Sequence, residues 1–204
     1  MSNEVKTKAK VDMDPKYIIK LTVTLFVTCL VVAAALGAVN MVTSGPIAEA
    51  NLKKTNEALA SVFQEAAAPE FPEMELTEDM TAAAAGAGTT LQNVYEAKDG
   101  GETIGHAMKV VASGSQGNIE MVVGVDAEGA VTGVSIVKNS ETSGIGSKVM
   151  ENENGVLDQF IGKSAADGAL VVGTNVDAIS GATVSSRGVT TGVNGALAVA
   201  GVIG

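Results

Sequence analysis

The chain has no tryptophan and only one cysteine, one histidine and one arginine among its 204 residues. The single cysteine, Cys29, excludes an internal disulfide and cannot hold an iron–sulfur cluster alone, since such clusters need several thiolates. The single histidine, His106, leaves no imidazole pair to begin a metal site. No group of His, Cys and carboxylates occurs with metal-ligand spacing. His106 lies in Ile104-Gly105-His106-Ala107-Met108-Lys109-Val110, which alternates like a strand, and reads as an exposed strand residue. Cations are scarce as well: 13 Lys and Arg stand against 23 Asp and Glu, for a net charge of −10. The first twenty residues carry five lysines against three acids, a balance of +2, and the remainder eight cations against twenty acids, a balance of −12. Phosphates of a nucleic acid would be repelled by that remainder, so no nucleic-acid partner is expected.

What the chain does have is one long apolar run. Leu21 to Val42 contains no charged residue and is long enough to cross a bilayer as a helix. It exceeds a usual signal-peptide core, although Ala33-Ala34-Ala35 keeps a cleavage site open. Cys29 lies inside it, and Phe26-Val27-Thr28-Cys29 is a poor lipoprotein cleavage box. Lys6, Lys8, Lys10, Lys16 and Lys20 precede the run, which predicts a cytoplasmic N-terminus and an extracytoplasmic bulk.

The rest divides by composition. We expect a basic tail over 1–20, a transmembrane helix over 21–42, a helical stalk over 43–68, a linker over 69–90 and a folded domain over 91–204. Ser44 or Gly45 is placed to cap the stalk helix, with Pro46 in its first turn. Pro69, Pro72 and neighbouring acids argue against a packed element in the linker, though its alanine run could extend a helix. Strands are predicted over 91–98, 104–112, 119–125 and 130–137, the last two as a hairpin around Asp126-Ala127-Glu128-Gly129. A short helix over 155–162 should bury Val156, Leu157, Phe160 and Ile161, and 170–172 should be a short buried strand. The fold class is α+β: a small antiparallel sheet with helices packed on it.

Two runs carry chemistry. In Asp177-Ala178-Ile179-Ser180-Gly181-Ala182-Thr183-Val184-Ser185-Ser186, small residues and hydroxyls precede a helical pattern at Val189, Val193, Ala196, Leu197 and Ala200. Ser185 or Ser186 suits the N-cap. A Gly-Ala pair lets an anion approach the backbone, a helix start stabilises it, and Arg187 could add charge-assisted hydrogen bonds. By residue type alone this is an anion-friendly turn and no more, and by spacing alone an ordinary strand–turn–helix joint with a serine cap is the favoured reading. In Glu141-Thr142-Ser143-Gly144-Ile145-Gly146-Ser147-Lys148, glycines flanked by hydroxyls suit a tight loop with exposed N–H groups, or a surface turn.

Together the runs resemble a known pattern. Asp-x-x-Ser-Gly-Ala-Thr-x-Ser is similar to the flavinylation motif of the FMN-binding domain found in the G subunit of Rnf electron transport complexes and the C subunit of sodium-translocating NADH:quinone reductases. Glu141–Lys148 is similar to that family's Glu-Thr-Pro-Gly-Leu-Gly stretch, which lines the flavin site. The resemblance implies FMN esterified through its phosphate to Thr183. Asp177, Ser180, Gly181, Ala182, Val184, Ser185 and Arg187 would lie around it, and Glu141, Thr142, Gly144, Ile145, Gly146 and Lys148 against the flavin. Lys148 would favour a reduced, anionic flavin. A threonine hydroxyl is a weak nucleophile without a base, and the family relies on a separate flavin transferase with FAD as donor. Ser185 is a second hydroxyl within reach of the same chemistry.

The implied role is an electron relay among other membrane subunits of an Rnf-type ferredoxin:NAD⁺ oxidoreductase coupled to Na⁺ or H⁺ movement. It would sit in a bacterial cytoplasmic membrane through one helix, with the flavin domain outside. Two departures stand out: Ser143 replaces the usual proline, and Ser113-Gly114-Ser115-Gln116-Gly117 lacks a tyrosine that members often carry before the hairpin. The alternatives are the flavoprotein component of a quinone reductase, a stand-alone extracytoplasmic flavin carrier, or a non-catalytic anchored scaffold.

Overall fold

The computed structural model describes residues 14–152 and 155–203. Lys6, Lys8 and Lys10 of the expected basic tail lie outside the described residues. The chain divides at Ala50/Asn51 into two compact units.

Helix α1 runs Pro15–Val62. It begins within the expected tail because Asp14 and Pro15 form a helix start: the Asp14 carboxylate accepts the Lys16 N–H at 3.0 Å, and proline occupies the first helical position. It also continues through Pro46, where a new helix was expected. Proline removes one backbone bond, and the turns on either side keep theirs. Ser44 and Gly45 therefore lie inside the helix and cap nothing, and the Ser44 hydroxyl turns back onto the Met41 carbonyl as Thr43's does onto Val39. Within Leu21–Val42 the large apolar side chains are exposed, and the helix is long and apolar enough to cross a membrane. Thr22, Thr24 and Thr28 donate to carbonyls four residues back, so their hydroxyls need no water.

The second unit is built on six antiparallel strands, β1 (Pro69–Glu70), β2 (Glu73–Met74), β3 (Thr90–Asp99), β4 (Glu102–Ser113), β5 (Asn118–Asp126) and β6 (Val131–Lys138), in the order β1-β3-β4-β5-β6 with β2 also paired to β3. Strands β3, β4, β5 and β6 match the expected segments to within two residues at each end. The expected linker is not a linker. Strands β1 and β2 add to the β3 edge, and α2 (Glu78–Gly86) follows, capped by the Thr77 hydroxyl and burying Met80 and Ala84. Both prolines fit an edge, where a missing N–H costs no ladder bond.

Each face of the sheet buries different residues. One face presents Met108, Val110, Met121 and Val123 to the last helix, α4 (Thr183–Ile203), through Val189, Val193, Ala196 and Leu197. The other presents Ala97, Ala107, Val122 and Val137 to Ala58, Leu59, Val62 and Phe63 at the end of α1. Gly124 and Gly133 are opposite each other on β5 and β6, and a Cβ on either would lie 3.0 Å from Val62. The glycine pair is thus a notch that seats the last turn of α1. Asp99 then holds the departing chain, accepting the Ala67 and Ala68 N–H groups at 3.1 and 3.2 Å.

Between β6 and α4 the chain is irregular. Among the described residues it holds α3 (Ser147–Met150) and two short 3-10 turns, Asp158–Phe160 and Ala165–Asp167. Val156, Leu157 and Phe160 are buried as expected, but Ile161 is 54% exposed. In place of the helix predicted over 155–162 stands the 3-10 turn Asp158–Phe160, so Ile161 falls after its end and leaves the buried face. Leu170 is buried, and Val172 makes only an isolated bridge to Val176.

Candidate functional site

Both motif runs fold into the same local device. Ile179-Ser180-Gly181-Ala182 is a turn closed by the Ala182 N–H to Ile179 carbonyl bond at 2.9 Å. Thr142-Ser143-Gly144-Ile145 is closed in the same way, Ile145 N–H to Thr142 carbonyl at 3.2 Å. The third residue of each is a glycine at positive φ, +83° at Gly181 and +77° at Gly144, the conformation that such turns demand and other residues resist. A helix follows each turn, α4 after the first and α3 after the second.

Helix α4 starts at Thr183, three residues before the earliest start that a Ser185 cap would give. Ser185 and Ser186 are therefore inside its first turns and do not cap it. The Ser186 hydroxyl donates to the Ala182 carbonyl at 3.1 Å and accepts the Ile179 N–H at 3.4 Å, which locks the turn onto the helix. Ala182 precedes the helix without a side-chain acceptor, so the first-turn N–H groups are left for another acceptor.

The two turns converge on one cleft of about 160 Å³. Thr142, Ile145 and Gly146 line one side with Glu141, and Gly181, Ala182, Thr183, Val184 and Ser185 line the other. Ile145 and Val184 are each about half exposed, 52% and 53%, and make its rim apolar. Thr183 is exposed at the cleft, whereas Ser185 is buried.

Glu141 ties the parts together. One carboxylate oxygen accepts the Ser185 hydroxyl. The other accepts the Ser115 and Gln116 N–H groups, at 2.8 and 3.2 Å. Gly146 is pressed against this bond: a Cβ there would lie 2.5 Å from the Glu141 carboxylate and 2.9 Å from Ser185 Oγ.

Five residues expected at the site stand outside the cleft lining: Asp177, Ser180, Gly144, Lys148 and Arg187. Gly144 and Ser180 shape the turns. Arg187 is exposed, a full turn beyond Thr183, because the helix begins early and carries it onward. Lys148 is partly buried on α3. Asp177 is held by its backbone, which exchanges two hydrogen bonds with the Gln159 side chain at 2.7 and 3.1 Å. Ser115 and Gln159 were not among the expected site residues. Ser115 had a signal in its Gly-Ser loop, while Gln159 had none.

The cleft fits a flavin phosphate by its donor set. Helix N–H groups, the Thr183 hydroxyl and a glycine with open space around it suit an anion, and the apolar rim suits a ring system. A family model described as an FMN-binding domain matches residues 114–198, a span that contains every cleft residue. Across the longer chain, the match to the G subunit of the Na⁺-translocating ferredoxin:NAD⁺ oxidoreductase complex of Acetobacterium woodii is 37% identical, covering 93% of this chain and 95% of that one. The chain belongs to the family of Rnf G subunits.

Other members of the same family extend the range. The G subunit of the ion-translocating oxidoreductase complex of Methanosarcina acetivorans is 30% identical, covering 90% of this chain and 95% of its own. The G subunit of the proton-translocating ferredoxin:NAD⁺ oxidoreductase complex of Clostridium ljungdahlii is 28% identical, with 91% and 93% covered.

Proposed function

We propose that this chain is the electron-relay subunit of an ion-translocating ferredoxin:NAD⁺ oxidoreductase complex, and that it carries FMN as a phosphodiester on Thr183. The observation that carries the site is the contrast between two hydroxyls. Thr183 is exposed at the cleft on the first turn of α4, and Ser185 is buried with its hydrogen given to Glu141. The FMN-binding family match and the Rnf relatives support the cofactor and the complex.

Bound FMN supplies hydride and single-electron chemistry. The chain's own residues bind and orient. The first turn of α4 receives the phosphate charge, the Gly181 turn leaves it room, and Ile145 and Val184 give the ring an apolar bed. A cleft of about 160 Å³ is smaller than the roughly 300–1,000 Å³ of sites that enclose a small molecule. A flavin held here stays at the surface, within reach of neighbouring subunits, as a relay requires.

The remaining features fit a membrane assembly. Residues 21–42 anchor the chain, and the lysines before them favour a cytoplasmic N-terminus with the flavin domain outside. A flavin transferase loads Thr183 from FAD, because no His or Cys neighbours it in sequence to serve as base: the Thr183 oxygen bonds to the FMN phosphorus, the pyrophosphate bond breaks, AMP leaves and the hydroxyl proton is released. The apolar run has no charged side chain, so the ion path belongs to other subunits.

The test is intact mass and peptide mapping of the full chain coexpressed with a flavin transferase. The expected result is a gain of one FMN less one water on Thr183, absent in Thr183→Val. An unmodified, colourless wild-type chain from its native host would overturn the reading.

A further inference from the structure

Glu141 lines the cleft, but its carboxylate is turned to the protein. Both of its carboxylate oxygens are engaged inside the protein, by Ser185, Ser115 and Gln116. These partners come from two places far apart in sequence, the loop before β5 and the first turn of α4. Gly114 and Gly146 are both packed so closely on Glu141 that a Cβ on either would meet its carboxylate. The loop carrying Ser115 is pressed from the other side by α4, where a Cβ on Gly188 would lie 2.5 Å from the Ser113 carbonyl.

We propose that Glu141 is a positioning residue of the flavin site. It pins the Ser113–Gly117 loop to the start of α4 and takes the Ser185 hydroxyl out of use, so that Thr183 is the hydroxyl presented at the cleft. The inference rests on the cleft being the flavin site. Its physical basis is geometric: hydrogen bonds whose donors lie far apart in sequence meet at one side chain. Three of them converging on one side chain fix three segments at once.

The experiment compares full-length wild type, Glu141→Ala, Glu141→Gln and Ser185→Ala. Gln is the conservative variant: its oxygen can still accept the two loop N–H groups, and its amide can donate to Ser185 Oγ. Amide hydrogen exchange is measured first on flavin-free protein, which makes this arm independent of the flavin reading. Ser115 and Gln116 should exchange at least tenfold faster in Glu141→Ala and within about threefold of wild type in Glu141→Gln. Initial rates of FMN transfer onto Thr183 are then measured with a flavin transferase. Glu141→Ala should load about tenfold more slowly, Glu141→Gln within about threefold of wild type, and adding Ser185→Ala to Glu141→Ala should cost little more. Normal loading and exchange in Glu141→Ala would overturn the inference while leaving FMN on Thr183 intact. A Gln variant as slow as the Ala variant would also overturn it, because charge rather than position would then matter. A wild type that is not loaded at all would remove the flavin reading, and this inference with it.

Discussion

Substituting Gly133 by alanine tests how α1 meets the sheet. A Cβ at this position would lie 3.0 Å from the Val62 Cα and 3.4 Å from its carbonyl oxygen. Both atoms belong to helix backbone, so neither can swing aside. Forcing one methyl into such a contact costs about 1–3 kcal/mol. Against this, alanine restricts the unfolded chain, which returns about 0.4–1 kcal/mol. The steric penalty wins, leaving a net loss of about 1.5 kcal/mol. For a unit of this size 1 kcal/mol shifts Tm by about 2–4 °C, so the expected fall is about 3–6 °C. Calorimetry of the full chain in detergent measures it, with Gly201→Ala as control. Gly201 is helical with nothing within 4 Å of a Cβ, so its substitution should be neutral or stabilise by up to about 1 kcal/mol. Pairing Gly133→Ala with Val62→Ala should not rescue stability, since the clash is with Val62 Cα. A Gly133→Ala protein as stable as wild type would refute the seating of α1 in the notch.

Two further predictions concern single residues. His106 is half-buried on β4, not exposed as its strand pattern suggested, and burial holds it below the usual imidazole value, with the Glu96 carboxylate opposing the shift from the neighbouring strand. The unfolded chain therefore binds a proton first as pH falls, so His106 contributes stability that is full above about pH 6.5 and is lost as pH drops through the lower folded value. His106→Gln should flatten urea-denaturation stability between about pH 7 and pH 5, and an unchanged slope would reject the assignment. Gly181→Ala places a Cβ in open space but keeps φ near +83°, so its cost is conformational, about 1–2 kcal/mol. It should appear as a stability loss together with slower FMN loading; an unchanged urea midpoint would show that the turn does not need glycine.

The long strands were legible because each is a run rich in Val, Ile, Met or Leu bounded by Gly, Asp or Asn, and β5 and β6 are joined by a short turn ending in glycine. The two glycine turns were legible as local patterns, since a turn's needs are written in four adjacent residues. Residues 69–86 were not. Strands β1 and β2 have two residues each and exist only because β3 offers them an edge, so no periodicity announces them. The start of α4 was misplaced because good capping residues at Ser185 and Ser186 were read as caps. In the fold their hydroxyls serve Glu141 and the Ala182 carbonyl instead. The bond between Glu141 and Ser185 spans forty-four positions, and residue types gave no hint of it.

The smallness of the cleft bears on the lifetime of the protein. Little apolar surface can be buried in it, so a flavin could not be retained there by affinity alone. An ester at Thr183 would make occupancy independent of the free flavin around the domain. It would also remove exchange: a cofactor damaged by light or oxidation could not be swapped for a fresh one. Renewal of the flavin and renewal of the polypeptide would then be a single event, with the rate of one fixed by the degradation of the other.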